Sequence, residues 1–107
     1  MLKWYENIYC AGDVDPWAVM QKINSGSYNA GVYLVTISAN EKEQLDILRS
    51  SELSKKEIEK RCGMIIGIGK TRQNTYEIVA ELAEDVLAKT GTCDIRGYFE
   101  NMDTGAF

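Results

Sequence analysis

The stretch Met64-Ile65-Ile66-Gly67-Ile68-Gly69-Lys70-Thr71 runs from apolar residues directly into a glycine turn, and an amphipathic segment follows it as far as Gly91. This order predicts a buried strand, a tight turn and a long helix. Such an arrangement can hold an anion, because a helix N-terminus presents unpaired N–H groups and the positive end of the helix dipole. The candidate anion-binding residues belong to the turn and the start of the helix: Gly67, Gly69, Lys70, Thr71 and Arg72.

The turn matches neither of two common glycine-rich phosphate motifs. A P-loop requires a glycine where this chain has Met64, and the third glycine of a dinucleotide-binding G-x-G-x-x-G falls on Arg72. No second acidic motif follows a strand to hold magnesium, so nucleotide hydrolysis is not predicted. Two interpretations stay open: an anion site, or a structural turn whose glycines allow close contact between strand and helix.

Charge is distributed unevenly along the chain. Residues 54–72 contain six basic and two acidic residues, whereas the 107-residue chain carries a formal net charge of −4. This locally positive segment contains the glycine turn, which favours an anionic ligand there. The isoelectric point of about 4.8 argues against nucleic-acid binding, because that function requires a broadly basic surface.

Length and composition indicate a single globular domain, residues 1–107. The chain is 45% hydrophobic and 26% charged, as in ordinary globular proteins. No apolar run reaches the roughly 18 residues that a membrane span needs, and the N-terminus lacks the apolar core of a signal peptide. We therefore expect a cytoplasmic protein without a membrane partner.

The absence of histidine narrows the chemistry, since it excludes serine and cysteine relays that use an imidazole base. Cys10, Cys62 and Cys93 lack C-x-x-C spacing, and no carboxylates have calcium-loop spacing. We predict no metal site, no cofactor and no catalytic residue. A histidine-free enzyme would have to use a carboxylate or Cys62, which lies just before the strand at 64–68.

Capping signals and β-propensity predict the elements of the first half. Asp15 and Pro16 indicate the start of a helix that reaches Asn24. Residues 31–38 are rich in β-branched and aromatic residues and predict a central strand. Residues 45–48 fit either a strand or a helix face, and we prefer a strand that forms a hairpin with 31–38.

The second half completes an α+β pattern. Ser54 and Glu57 match a capping box for a short helix to Arg61. Residues 94–99 predict a short edge strand. The segment 73–90 predicts a long helix with one inward-facing stripe: Ile78, Val79, Leu82, Ala83 and Val86. The fold class is therefore α+β, a small, mostly antiparallel sheet of three to four strands with two or three helices packed on one face.

Aromatic residues are concentrated near the N-terminus, at Trp4, Tyr5, Tyr9 and Trp17. Such residues are typical of a core or a protein interface. We predict that these four contribute to an interaction surface rather than to a platform for nucleic-acid bases.

The glycine turn and the ending Thr90-Gly91-Thr92-Cys93-Asp94-Ile95-Arg96 together resemble a family of small uncharacterised proteins from Gram-positive anaerobic bacteria. In that family a strand ends in a Gly-Ile-Ala/Gly-Lys turn, and a helix leads to a Thr-Gly-x-x-Asp-hydrophobic-Arg segment. The resemblance covers roughly residues 31–99. It implies a cytosolic bacterial protein with no assigned catalytic residues, and it favours a strand at 45–48.

Three functions follow from these observations. The first is a small non-catalytic interaction or regulatory protein that binds a protein partner or a second copy of itself. The second is a sensor that binds phosphate, a nucleotide or another small anion at residues 67–72. The third is a histidine-free enzyme.

Overall fold

A computed structural model describes residues 2–40 and 42–105, and these residues form one sheet with helices on both of its faces. The strands are β1 (Trp4–Cys10), β2 (Tyr33–Ile37), β3 (Leu45–Arg49) and β4 (Ile65–Gly69). The α-helices are α1 (Pro16–Asn24), α2 (Lys56–Arg61), α3 (Arg72–Thr90) and α4 (Ile95–Gly105), and a short 3-10 helix spans Ser50–Ser54.

The sheet is mixed but mostly antiparallel, which confirms the predicted α+β class. Its strand order is β1-β4-β2-β3. β2 pairs antiparallel with both β3 and β4, and only the β1–β4 pair is parallel. The pairing of Val35 with Ile47 places residues 45–48 in the predicted hairpin. The N-terminal aromatic segment forms the edge strand β1.

The two faces of the sheet carry separate hydrophobic clusters, because successive residues of a strand point to opposite faces. Val35 and Ile37 of β2 face α3 and α4, so two helices pack on this face as predicted. Leu34 faces the other way, towards Val19 and Ile23 of α1. Helices on this second face were not part of the sequence prediction.

The long helix α3 follows the predicted phase. Ile78, Leu82 and Val86 are buried, and Val79 is half-buried against the same cluster. Gly91 ends the helix with φ of 76°, a left-handed conformation that glycine adopts without steric cost. The predicted start of α1 is confirmed too, since Asp15 Oδ1 accepts the N–H of Trp17 at 3.0 Å.

The C-terminal segment is the helix α4, so the predicted edge strand over 94–99 is wrong. Gln44 Oε1 accepts the N–H of Ile95, and Asp94 Oδ1 accepts that of Gly97 at 3.0 Å. Ile95 and Phe99 lie one turn apart and are both buried. Gln44, which caps the start of α4, lies 51 positions from Ile95 in the sequence, so a local pattern does not reveal this cap.

Arg96 ties α4 to the turn between β2 and β3. Its guanidinium donates hydrogen bonds to the carbonyl oxygens of Ser38, Asn40 and Glu43, the latter two at 2.8 and 2.9 Å. A second guanidinium nitrogen pairs with Glu100 at 3.1 Å. The hairpin turn and the last helix are therefore held as one unit.

The predicted capping box of Ser54 and Glu57 is wrong. Ser54 ends the 3-10 helix, and its hydroxyl donates to the carbonyl oxygen of Ser51 at 2.9 Å. α2 begins at Lys56 without a side-chain cap. Instead, the carboxylate of Glu52, in the 3-10 helix, accepts the backbone N–H of Arg49 at 2.7 Å.

Substitution of Leu82 tests the position of α3 on the sheet. Leu82 is fully buried in mid-helix, so Leu82→Ala is expected to lower the free energy of unfolding by about 2–5 kcal/mol. The neighbouring Glu81 is exposed, and Glu81→Ala should change it by at most about 0.5 kcal/mol. Chemical denaturation of both variants measures the difference. Equal shifts would contradict the helix phase.

Candidate functional site

The carboxyl ends of β1 and β4 meet at one edge of the sheet, because these two neighbours are parallel. The helix after β1, α1, packs on one face, and the helix after β4, α3, packs on the other. Such a topological switch point leaves a crevice between the two connections, which is where open α/β sheets bind ligands. We call this edge the carboxyl edge.

The glycines of the turn let α3 start directly against β4. A Cβ atom on Gly67 would lie 3.0 Å from Ile78 Cγ2, and one on Gly69 would overlap Thr75. Both contacts are with α3, so the structure supports the interpretation in which glycine allows close strand-to-helix contact. This role does not depend on a ligand.

The N–H groups at the turn are largely used by the protein's own side chains. Asn74 Oδ1 accepts the N–H of Lys70 at 2.6 Å and that of Thr71 at 3.2 Å. Thr71 Oγ1 in turn accepts the N–H of Asn74 at 3.1 Å. This reciprocal cap, which the spacing of Thr71 and Asn74 could have predicted, occupies three of the N–H groups near the turn. An anion at this edge would have to be held mainly by side chains.

Lys70 lies across the crevice. Its ammonium group forms an ion pair of 2.9 Å with Asp13, in the loop that follows β1. The hydrogen bond from Lys70 holds the pKa of the Asp13 carboxyl below its usual range. Both side chains are more than half exposed, at 57% and 65%. Exposed ion pairs contribute little to stability, so Lys70 can exchange Asp13 for a more highly charged anion.

The fold adds Arg49 to the predicted basic residues. Gly69 pairs with Tyr33 and Tyr33 pairs with Arg49, so the end of β3 lies at the carboxyl edge. Arg49 therefore lies at the same end of the sheet as Lys70 and Arg72, and we call these three residues the basic edge. Arg72 forms no ion pair with any described side chain. Arg49 could not be found from sequence because it is distant from the turn along the chain.

Two adjoining cavities open at the basic edge. One, of about 410 Å³, is lined by Lys70 and Arg49 together with Asn29, Ser50 and Ser51. The other, of about 430 Å³, contains Arg72 and Tyr76. Both cavities include Tyr33 and Arg49, and the guanidinium carbon of Arg49 lies 5.7 Å from the centre of the Tyr33 ring. The cavities are of the size usual for small-ligand sites, which is about 300–1,000 Å³.

Not all of the basic residues in segment 54–72 lie near the glycine turn. Arg61, at the end of α2, lines a different cavity with Ser38 and Asn40, which follow the carboxyl end of β2. Because β2 and β4 are antiparallel, this places Arg61 towards the opposite end of the sheet from Lys70. The number of basic residues near the turn is therefore smaller than the sequence suggests. Arg49, from outside the segment, makes up part of the difference.

The four N-terminal aromatic residues are not brought together on one surface. The indole of Trp4 donates to Asn24 Oδ1 at 3.0 Å, on the α1 side of the sheet. Tyr5 and Tyr9 face the other side, where Tyr5 contacts the Phe99 ring edge-on. Trp17 is 64% exposed. Among the four, Trp17 is the residue best placed to contact a partner.

Tyr9 links the edge strand β1 to the helix α3. Its hydroxyl donates to Asp85 Oδ2 at 2.6 Å. Burial and this hydrogen bond to a carboxylate raise the pKa of the Tyr9 phenol, so it stays protonated as a structural donor. Asp85 therefore belongs to the contact between β1 and α3 rather than to the fully exposed face of the helix.

No helix among residues 2–40 and 42–105 is long and apolar enough to cross a membrane. Within the same residues, no three Cys, Asp or Glu side chains are grouped so that they could hold a metal ion. No protein-family model, curated protein or solved structure matches this chain. Its function has to be inferred from the chemistry of its own residues.

Cys62 directly follows α2, and its thiol donates to the carbonyl oxygen of Gly63 at 3.4 Å. Burial, together with the nearby carboxylates of Asp46 and Glu59, raises the pKa of Cys62 to about 11. The thiolate is the reactive form of cysteine, so this position does not suit a nucleophile.

Alkylation of the folded protein tests the state of Cys62. Cys93 is exposed and serves as an internal control. With iodoacetamide at pH 8, Cys93 is expected to react at least about tenfold faster than Cys62, because Cys62 is both shielded and protonated. Mass spectrometry of the digested protein measures the two rates. Faster reaction at Cys62 would restore it as a candidate nucleophile.

Proposed function

We propose that this chain is a small, non-catalytic regulatory protein that binds a phosphate-bearing small molecule at the basic edge. The convergence of Arg49, Lys70 and Arg72 from separate elements is the observation that carries the proposal. Three cations around two cavities offer charge-assisted hydrogen bonds, which suit phosphate oxygens. A cytoplasmic location, where phosphorylated metabolites are abundant, is part of the proposal.

In this site the glycine turn positions the basic residues, and their side chains bind the anion. The helix dipole of α3 still favours negative charge near its start, although Asn74 occupies two of the N–H groups there. Lys70 and Arg49 both line the cavity of about 410 Å³, whose other polar groups are hydroxyls and an amide. No carboxylate lines this cavity within the described part of the chain, so an anion entering it meets no direct repulsion.

Titration with inorganic phosphate and pyrophosphate tests the proposal. Amide resonances of residues 29–33, 49–52 and 70–76 should shift in NMR spectra. Lys70→Gln or Arg49→Gln should weaken pyrophosphate binding about tenfold, the loss expected for one charge-assisted hydrogen bond. Lys60→Gln is the matched control, because Lys60 belongs to the same positive segment but lies on α2. Unshifted resonances at millimolar pyrophosphate would refute the proposal.

Interaction with a protein, including a second copy of the chain, is the second candidate function. Ile47 on the edge strand β3 is 40% exposed, and Tyr76 on α3 is 56% exposed. Leu87, 47% exposed, lies three turns after Tyr76 on the same side of α3. Ile47 and Tyr76 line one cavity, so these two residues form an exposed apolar strip between β3 and α3, and Leu87 lies beyond it on the same helix.

Light scattering tests self-association. A dimer should have twice the chain mass of 12.0 kDa, and Ile47→Lys should convert it to monomer by placing a charge in the apolar strip. Trp17→Lys is the control, since Trp17 is also an exposed large hydrophobic residue but lies on α1. Dissociation by Trp17→Lys instead would assign the interface to the N-terminal aromatic residues, and a monomer at every concentration would refute self-association.

A further inference from the structure

The two cavities of the basic edge differ in chemistry, and the difference indicates what kind of phosphate compound fits. We propose that the site takes a nucleoside monophosphate, with its phosphate in the cavity beside Lys70 and its base in the cavity beside Tyr76. This inference rests on the proposed anion-binding function and specifies the class of ligand. Neither cavity corresponds to a known phosphate motif in the sequence.

The cavity beside Lys70 suits the phosphate. Lys70 and Arg49 provide the positive charge, while Ser50, Ser51 and Asn29 add neutral hydrogen-bonding groups. Asp13 pairs with the Lys70 ammonium group but does not line the cavity. A phosphate here replaces Asp13 as the partner of Lys70 without losing the charge pairing.

The cavity beside Tyr76 suits a base rather than a second phosphate. Tyr33, Tyr76 and Ile47 contribute aromatic and aliphatic surface, and aromatic side chains stack on any base. Glu52 also lines this cavity and opposes a phosphate, whereas its carboxylate can accept a hydrogen bond from a base N–H. Arg72, on the first turn of α3, can stack on the exposed face of the ring.

The position of Arg49 and Tyr33 explains why one ligand would span both cavities. The two residues are paired neighbours on β3 and β2, and they line both cavities. The Arg49 guanidinium lies over the Tyr33 ring, with its central carbon 5.7 Å from the ring centre. A sugar at this boundary would connect a phosphate on one side with a base on the other.

Calorimetric titration with the 5′-monophosphates of adenosine, guanosine, cytidine and uridine, and with ribose 5-phosphate, tests the inference. At least one nucleotide should bind about tenfold or more tightly than ribose 5-phosphate, because a stacked base contributes about 1–3 kcal/mol. Tyr76→Ala should lower the affinity for that nucleotide to the affinity for ribose 5-phosphate. The affinity for ribose 5-phosphate itself should stay unchanged. Trp17→Ala, an exposed aromatic substitution on α1, should change neither.

The measurements distinguish a failure of the base cavity from a failure of the proposed anion site. If ribose 5-phosphate binds as tightly as every nucleotide, or if Tyr76→Ala has no effect on the tightest nucleotide, the base cavity is refuted and the anion site stands. If neither the nucleotides nor ribose 5-phosphate bind, the proposed anion site is refuted as well. Tyr76 is 56% exposed, so its substitution leaves the core intact and the variant remains folded for the measurement.

Discussion

The whole structure depends on the burial of β4 from both faces of the sheet. All of its residues are buried, and it pairs with β1 on one side and β2 on the other. Ile66 faces the cluster under α3, while Ile65 and Ile68 face the cluster under α1. The two glycines leave room for α3 on the first of these faces. A larger side chain at Gly69 would displace the start of α3 and, with it, the site at the carboxyl edge.

Local patterns in the sequence were sufficient for most elements of the fold. The apolar stripe of α3, its terminal glycine and the cap of α1 each involve residues within a few positions of one another, so periodicity and capping rules identify them. The same rules failed over 94–99, because Gln44 supplies a helix cap from the β2–β3 turn. They failed at Ser54, because a competing 3-10 turn had already engaged its hydroxyl.

The candidate site was only partly predictable for a related reason. Lys70 and Arg72 follow the glycine turn directly and could be proposed from it. Arg49 joins them through strand pairing across β2, and Asp13 joins them through the parallel pairing of β1 with β4. Both pairings depend on strand order, which periodicity does not specify. The charge of a segment is therefore a weaker guide to a binding site than the sheet edge at which its strands end.

The attachment of α4 has a consequence for the order in which the chain can become native. Arg96 and Gln44 link α4 to the β2–β3 turn across 51 to 58 positions, so these contacts close a long loop. Of the described elements, α4 is the last that a ribosome releases. Until then the carbonyl groups of the turn lack their guanidinium partner, and the buried place of Phe99 stays open to water. Central strands and α3 can assemble on the nascent chain, but the hairpin tip must wait until α4 has left the ribosome.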